Sequence, residues 1–468
     1  MHPKSFRLRV HFSFNWGDVL KTNQRAALAS SMLGFAVVAL DAQIANVALP
    51  AIQKNLGGDL TQLQWVVSGY TLMFSTLLLF GGTIADRLGS KAANRNGVIL
   101  FVLASIACGL APSMELLIFA RFIQGIGAAL VTPTSLSLIR EAFDEPKARA
   151  RAIGFWAVGG AVAAAAGPIL GGLLAPIDWR FIFFVNLPVG IASLLVIRKV
   201  NVSPRKPAKF DIAGQITAVI GLGSFTFACI EGGKFGYTHP LILSLFVVAI
   251  LVLTLFVKIQ SKSSHPMLPL DLFKSRSISL ALAVALVTMA AFYGLVFMQG
   301  LYFQEERGYS ALITGLLFLP MAATTPFTNA YVAKISLRFG QHVPIVLGLS
   351  SMAIGLLSIS MLPSEIPVWV IALCMILVGN GGAFTVPAIA ALILEAAPVN
   401  LAGTASGVLN TFRQLGGSLG VAIFGSIANI SAAFLSGLRT DYVVTATILL
   451  VAVLLTAKYL RKPVHNKN

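Results

Sequence analysis

The sequence predicts an all-α polytopic membrane protein of about fourteen transmembrane helices, and three observations carry that prediction. The chain of 468 residues is 57% hydrophobic and only 11% charged, against about 25% charged in soluble domains. Apolar stretches of about 20 residues recur from Gln24 onward, each long enough to cross a hydrocarbon core about 30 Å thick. The basic residues fall on alternate loops: with a cytoplasmic N-terminus, about 27 of the 34 Lys and Arg lie on the cytoplasmic side and about 5 outside. The formal net charge of +17 therefore reads as topology and contact with anionic lipid head groups, not as a nucleic-acid footprint.

Taken in order, apolar runs between polar or proline-bearing breaks place spans at about 27–49, 62–84, 96–112, 114–138, 150–174 and 181–198. They continue at about 211–231, 239–258, 278–303, 310–333, 342–361, 366–393, 401–428 and 438–458. The segments RKVNVSPRKPAKF (198–210) and SKSSHPMLPLDLFKSRS (261–277) are basic, proline-bearing linkers. They bracket the seventh and eighth spans. The expected organisation is a cytoplasmic tail (1–26), a six-helix bundle (27–200), linkers with an inserted helix pair (201–275), a second six-helix bundle (276–460) and a cytoplasmic tail (461–468). DRLG from Asp86 and LRFG from Leu337 each follow the second span of their block at matching spacing, which suggests duplicated halves. No apolar core precedes a cleavage-type site in the basic first 25 residues, so no leader is expected.

Asp41, in LDAQIANVALP, raises the functional question. A carboxylate at the centre of a membrane helix costs roughly 2.5 to 3.5 kcal/mol, so such residues face a bundle interior or a watery cavity and pair. At 1.5 Å per residue Asp41 sits about 13 Å below the outer surface and Arg121, in RFIQGIGAAL, about 10 Å below it. The shared depth makes them expected neighbours, directly or through water, with Gln43, Asn46 and Gln124 as nearby polar groups. Two readings stay open: a fixed ion pair locking two helices, or a protonation switch in which Asp41 exchanges a proton that Arg121 cannot.

Other stretches add candidates. In GGTIADRLGSK, Gly82 is expected to allow close helix approach and Gly89 a tight turn, with Asp86 facing the positive end of another helix. In GFWAVGGAVAAAAGPILGG, small residues permit near contact between helices and Pro168 removes a backbone bond, which is the pattern of generic close packing or of a seal between alternating states. Arg413 lies about 18 Å into its span, with Asn410, Gln414, carbonyls or a substrate as possible partners. Trp65, Tyr70, Tyr293, Phe297 and Tyr302 are candidates for an aromatic cavity. Glu231, Glu305 and Glu306 are expected at exposed ends of spans. Cys108, Cys229 and Cys374 lack ligand or redox spacing and read as packing residues. No nucleotide loop, metal cluster or nucleophile with its base is seen, so neither enzymatic activity nor a cofactor is expected.

Together these stretches resemble the major facilitator superfamily, over about positions 27–430, and within it the 14-span drug:proton antiporter group, nearest its methylenomycin A resistance type. GTIADRLGSK resembles the superfamily loop motif, LLIFARFIQGIGAA the fourth-helix motif, GFWAVGGAVAAAAGPILGG the fifth-helix antiporter motif, and LDAQIANVALP the first-helix signature. DWRFIFFVNLPVG, PMLPLDLF and LYFQEERGYSALITG are also similar. The resemblance implies a major facilitator fold with alternating access between two bundles. It puts Asp86 and Arg87, with Gly82, Gly89 and Lys91 of the same loop, in the cytoplasmic gate and Arg121 in proton coupling; Gly154, Gly167, Pro168 and Gly171 mark export. Three departures stand out: Gln43 for a usual Thr, Ser90 for a usual Arg and Ala163 for a usual Gly. The expected function is proton-coupled export of small amphipathic drugs across the bacterial inner membrane by a monomer, with no periplasmic adaptor legible. An importer of a small metabolite and a non-transporting sensor are the alternatives.

Overall fold

A computed structural model describes residues 21–205, 209–398, 401–431 and 433–460. The predicted tail 461–468 and most of the tail 1–26 lie outside the described residues. Fifteen α-helices follow one another: α1 (Thr22–Leu56), α2 (Leu60–Leu88), α3 (Ser90–Gly109), α4 (Met114–Ala142), α5 (Pro146–Leu174), α6 (Phe181–Phe184), α7 (Asn186–Ile197), α8 (Ile212–Phe235), α9 (Pro240–Lys262), α10 (Arg276–Leu301), α11 (Ala311–Phe339), α12 (His342–Met361), α13 (Val368–Ala396), α14 (Ala402–Ile430) and α15 (Phe434–Tyr459). Twelve of these are long and apolar enough to cross a membrane. The shorter apolar stretch Phe181–Ile197 and the 29-residue α14 complete the fourteen passes that the hydropathy predicts.

The sixth pass divides into α6 and α7 at Val185, where the backbone stays right-handed helical (φ −61°, ψ −22°). Pro188 has no N–H to offer the carbonyl four residues earlier, so the helical ladder is one bond short there. The other passes begin and end on ordinary signals. Asp59, Ser113, Asp211, Ser275 and Ser310 cap the helices they precede through their side chains. Gly89 and Gly340 close α2 and α11 with φ of +85° and +86°, a backbone region that glycine enters without steric cost.

The packing repeats. In the first half α1 packs on α5 and α4, and α2 and α3 pack on α4; in the second half α10 packs on α14 and α13, and α11 and α12 pack on α13. The halves meet reciprocally, α2 against α14 and α5 against α11, as two copies related by a pseudo-two-fold axis should. Seen against that repeat, the spacing that separates Arg87 from Arg338 carries Asp41 to Phe292. Asp41 therefore has no acidic counterpart at the equivalent position of the second half. Helices α8 and α9 pack on each other, and α8 lies along both α2 and α14, covering one seam between the halves.

Candidate functional site

Asp41 is fully buried on α1, and its carboxylate gathers three donors. Arg121 Nη1 on α4 forms an ion pair with Oδ2, while Oδ1 accepts from Gln124 Nε2 at 2.8 Å and from Asn186 Nδ2 at 2.7 Å. Arg121, 1% exposed, also donates through Nε to the Val66 carbonyl at 2.9 Å and through Nη1 to Gln124 Oε1 at 2.6 Å. Its guanidinium lies 4.4 Å from the Tyr70 ring centroid, a cation–π contact strengthened by the absence of water. Ser105 on α3 accepts from Gln124 at 2.8 Å and from Asn186 at 3.2 Å. Five helices of one bundle thus converge on a single carboxylate. Breaking such a pair by deleting one partner is far costlier than the pair is stabilising, because a bare charge is left in a dry interior.

The depth argument for Asp41 and Arg121 is matched by direct contact, and Gln124 sits between them. Asn186 and Ser105 were not among the sequence candidates. The signal for Asn186 was an amide two residues before a proline in the middle of an apolar run, NLP, which the linear sequence does not connect to Asp41.

Between the halves, Gln43 on α1 is within hydrogen-bonding reach of the Tyr293 side chain on α10, and Arg413 on α14 lies near enough to act on Tyr293 electrostatically. Arg413 Nη1 donates to Asn410 Oδ1 at 3.1 Å, while its Nε is buried without a hydrogen-bond partner. The side-chain amide of Asn46 donates to the Ala42 carbonyl at 3.3 Å and its Oδ1 is unpartnered; a side chain at Gly300 would come within 3.1 Å of the Asn46 carbonyl. Gln43, Asn46, Tyr293, Asn410 and Arg413 therefore share the seam between the halves. Three aromatic candidates lie elsewhere. Tyr70 is fully buried beneath Arg121, with its hydroxyl donating to Val38 O at 3.2 Å. Phe297 is fully buried in the core of the second half. Trp65 donates to Glu231 Oε1 at 2.9 Å, so both tie α2 to the inserted α8 and Glu231 is not a free loop acid. Glu305 and Glu306 are exposed.

The last turn of α2 carries Asp86 and Arg87, both exposed, with Arg87 4.8 Å from the Phe210 ring centroid. Lys91 Nζ donates to the Arg198 carbonyl at 3.2 Å and to the Val200 carbonyl, and Ser90 donates to Glu141 Oε1 at 2.5 Å. Close approach on α2 belongs to Gly81, not Gly82: a Cβ at Gly81 would run into the Ala129 carbonyl, whereas Gly82 has open space. The helical period points one glycine at α4 and turns its neighbour away. On α5, likewise, Gly154 is open and exposed. Close contact falls to Gly167, where a Cβ would lie 2.7 Å from Gln43 Cβ, and to Gly171, 2.7 Å from the Ile44 carbonyl. The next face of α5 meets α11. A Cβ at Gly315 would strike the Pro168 carbonyl, and one at Gly172 would lie 2.6 Å from the Ala311 carbonyl. Helix α5 is thus wedged between α1 and α11 in its C-terminal half.

Sequence and fold comparisons agree with this architecture. The Major Facilitator Superfamily model matches residues 31–421, and the chain belongs to that family. It is 37% identical to the multidrug resistance protein Stp of Mycobacterium tuberculosis strain H37Rv, over 87% of this chain and 76% of that one. It is 36% identical to the methylenomycin A resistance protein of Bacillus subtilis strain 168, over 86% and 88%, and 33% identical to the puromycin resistance protein pur8 of Streptomyces alboniger, over 90% and 83%. Among solved structures, a D-xylose-proton symporter superposes with a TM-score of 0.68 at 14% identity over 93% of this chain and 98% of that one; at that identity the likeness speaks for the fold. The protein is a multi-pass membrane transporter related to drug and antibiotic efflux proteins, not an enzyme.

Proposed function

We propose that this protein is a proton-coupled antiporter that exports small amphipathic drugs or antibiotics across the bacterial inner membrane, with Asp41 carrying the coupled proton. The observation that carries the reading is the buried Asp41–Arg121 pair on a helix that also lines the seam between the halves. Gln43, two residues on, reaches Tyr293, which Arg413 also approaches, so the charge state of Asp41 and the content of the seam are about half a helical turn apart. The names of the relatives, all resistance or efflux proteins, support a drug as cargo. The positive-inside bias supports a cytoplasmic face at Asp86, Arg87 and Arg140 and cytoplasmic termini.

On this reading the contacts at the Gly172–Ala311 and Gly315–Pro168 seam and the bond from Gln304 Nε2 to the Val47 carbonyl, at 3.0 Å, close the outer side. Protonation of Asp41 removes its attraction for Arg121, which keeps its bonds to Val66 and Gln124; α1 is then free to shift against α4 and α5. The halves rock about the α2–α14 and α5–α11 contacts, with Gly167, Pro168 and Gly171 giving α5 the smooth faces on which to slide. Asp86, Arg87, Gly89 and Lys91 form the cytoplasmic gate, with Ser90 held by Glu141. Each proton entering contributes about 2.3 kcal/mol per 100 mV of potential and about 1.36 kcal/mol per pH unit, enough to drive a sizeable drug gradient outward.

The test is a susceptibility panel on cells overexpressing the protein, with and without a protonophore, paired with drug-dependent proton movement in proteoliposomes. Resistance that collapses with the protonophore and with Asp41→Asn is expected. Full proton-dependent efflux by Asp41→Asn removes the assignment, and substrate accumulation without exchange would favour import.

A further inference from the structure

The amides around Asp41 are not equivalent, and the difference assigns a role to Asn186. Gln124 is fixed in one orientation. Its Oε1 accepts from Arg121 at 2.6 Å and its Nε2 donates to both Asp41 and Ser105; turning the amide over would set Nε2 against the guanidinium. Asn186 has no such constraint. Its Nδ2 donates to Asp41 Oδ1 at 2.7 Å and to Ser105 Oγ at 3.2 Å, while its Oδ1, fully buried, has no hydrogen-bond partner. Rotation of the Asn186 amide by half a turn therefore breaks no hydrogen bond on its far side, where it exchanges one unpartnered group, Oδ1, for another, Nδ2. It brings an acceptor to Asp41 Oδ1, the oxygen that does not face Arg121.

A carboxylate accepts only, whereas a carboxylic acid carries one donor. Buried polar groups left unpaired are expensive, so a site meant to hold Asp41 in both forms needs a neighbour able to answer both. The geometry points to Asn186 as that neighbour: a positioning residue that donates to the Asp41 carboxylate and, after its amide turns over, accepts the proton-bearing oxygen of the acid. Ser105 can follow, since its hydroxyl, which donates to the Phe101 carbonyl at 2.8 Å, can turn to donate to the Asn186 oxygen that then faces it while still accepting from Gln124. Asn186 is the first residue of α7, two residues before Pro188, whose missing N–H leaves the ladder one bond short there. The other ionisable groups facing the site are Arg121 on α4, Tyr70 on α2 and Cys108 on α3. Helices α6 and α7 contribute none, Lys147, Arg149 and Arg151 stand at the far start of α5, Tyr293 of α10 is reached through Gln43, and those of α11 (Tyr331, Lys334, Arg338) lie toward its C-terminal end.

This inference rests on the proposed proton coupling at Asp41, and infrared difference spectroscopy of the full-length protein in proteoliposomes, between alkaline and acid buffer, separates the two. The expected spectrum contains a carboxylic-acid C=O band that is absent in Asp41→Asn, together with an asparagine amide carbonyl band, identified by isotopic labelling, that shifts with it. In Asn186→Leu the amide shift disappears, the acid band moves to the position of a C=O group whose acid is not hydrogen-bonded, and proton-driven transport falls by about tenfold or more. Asn186→Ser, whose hydroxyl both donates and accepts, retains most transport and guards against a folding defect in the Leu variant. An Asp41 band that appears with every asparagine band unmoved, or is unchanged in Asn186→Leu, overturns the inference while leaving the coupling intact. No Asp41 band at any pH overturns the coupling and the inference with it.

Discussion

Removing the charge of Arg121 while keeping its bulk, as in Arg121→Met, should destabilise the protein more than removing both charges of the pair. In the native protein Arg121 serves Asp41, the Val66 carbonyl and Gln124 Oε1 at once, and neither charged side chain is more than 1% exposed. Loss of the guanidinium leaves Asp41 with two neutral amide donors and no cation; deleting one member of a buried pair costs about 3 to 5 kcal/mol. Asp41→Leu should cost a similar amount, because it strands the guanidinium instead. The double variant Asp41→Leu/Arg121→Met leaves the neutral acceptors Val66 O and Gln124 Oε1 short of a donor, and Gln124 Nε2 and Asn186 Nδ2 each short of one acceptor while they keep Ser105. It should recover much of the loss, since apolar replacement of a whole buried pair is often neutral or stabilising. Because the double variant then costs less than either single variant, the expected coupling exceeds about 3 kcal/mol, above the about 0.5 to 3 kcal/mol usual between contacting residues. Thermal melting of the four proteins in detergent, followed by size-exclusion of a fluorescent fusion, measures it. The ordering expected is wild type, then the double variant, then the two single variants. If the losses of the two single variants simply add, the ion pair is not what holds α1 to α4, and the reasoning fails.

Three further outcomes follow from individual contacts. Gly81→Ala should abolish stable expression or lower the melting temperature sharply, because its Cβ meets the Ala129 carbonyl, whereas Gly82→Ala, with open space around it, should be neutral or gain up to about 1 kcal/mol of helix propensity; equal effects would refute the assignment of close packing to Gly81. Gly315→Val should leave each half folded yet hold α11 away from the Pro168 carbonyl, so cysteines placed at Gly172 and Ala311 should cross-link less readily than in the parent and drug efflux should fall; undiminished cross-linking would count against it. Asp441 on α15 is 1% exposed and neither carboxylate oxygen has a hydrogen-bond partner, so Asp441→Asn should melt no lower than wild type, a buried carboxylate without a partner being unfavourable; a clear loss of stability would reveal a partner for it.

The residue order alone determined the number of passes and where each lies along the chain, though not its edges, α1 running from Thr22 to Leu56 against an expected span of about 27–49, because about 20 apolar residues can cross a bilayer only as a helix whose backbone bonds are internal. It also matched the depths of Asp41 and Arg121, since rise per residue is the same in every helix. Rotation about each helix axis is another matter. Gly81 and Gly82, or Tyr70 and Trp65, differ in role by which neighbour they face, and packing of six partners decides that. The same holds for Asn186, whose approach to Asp41 depends on how α7 packs against α1 and α3, and for Asp441, whose burial the edge of an apolar run could not reveal. Depth is a property of one chain segment, readable along the line. Facing is a property of the assembled bundle, and only the tertiary structure settles it.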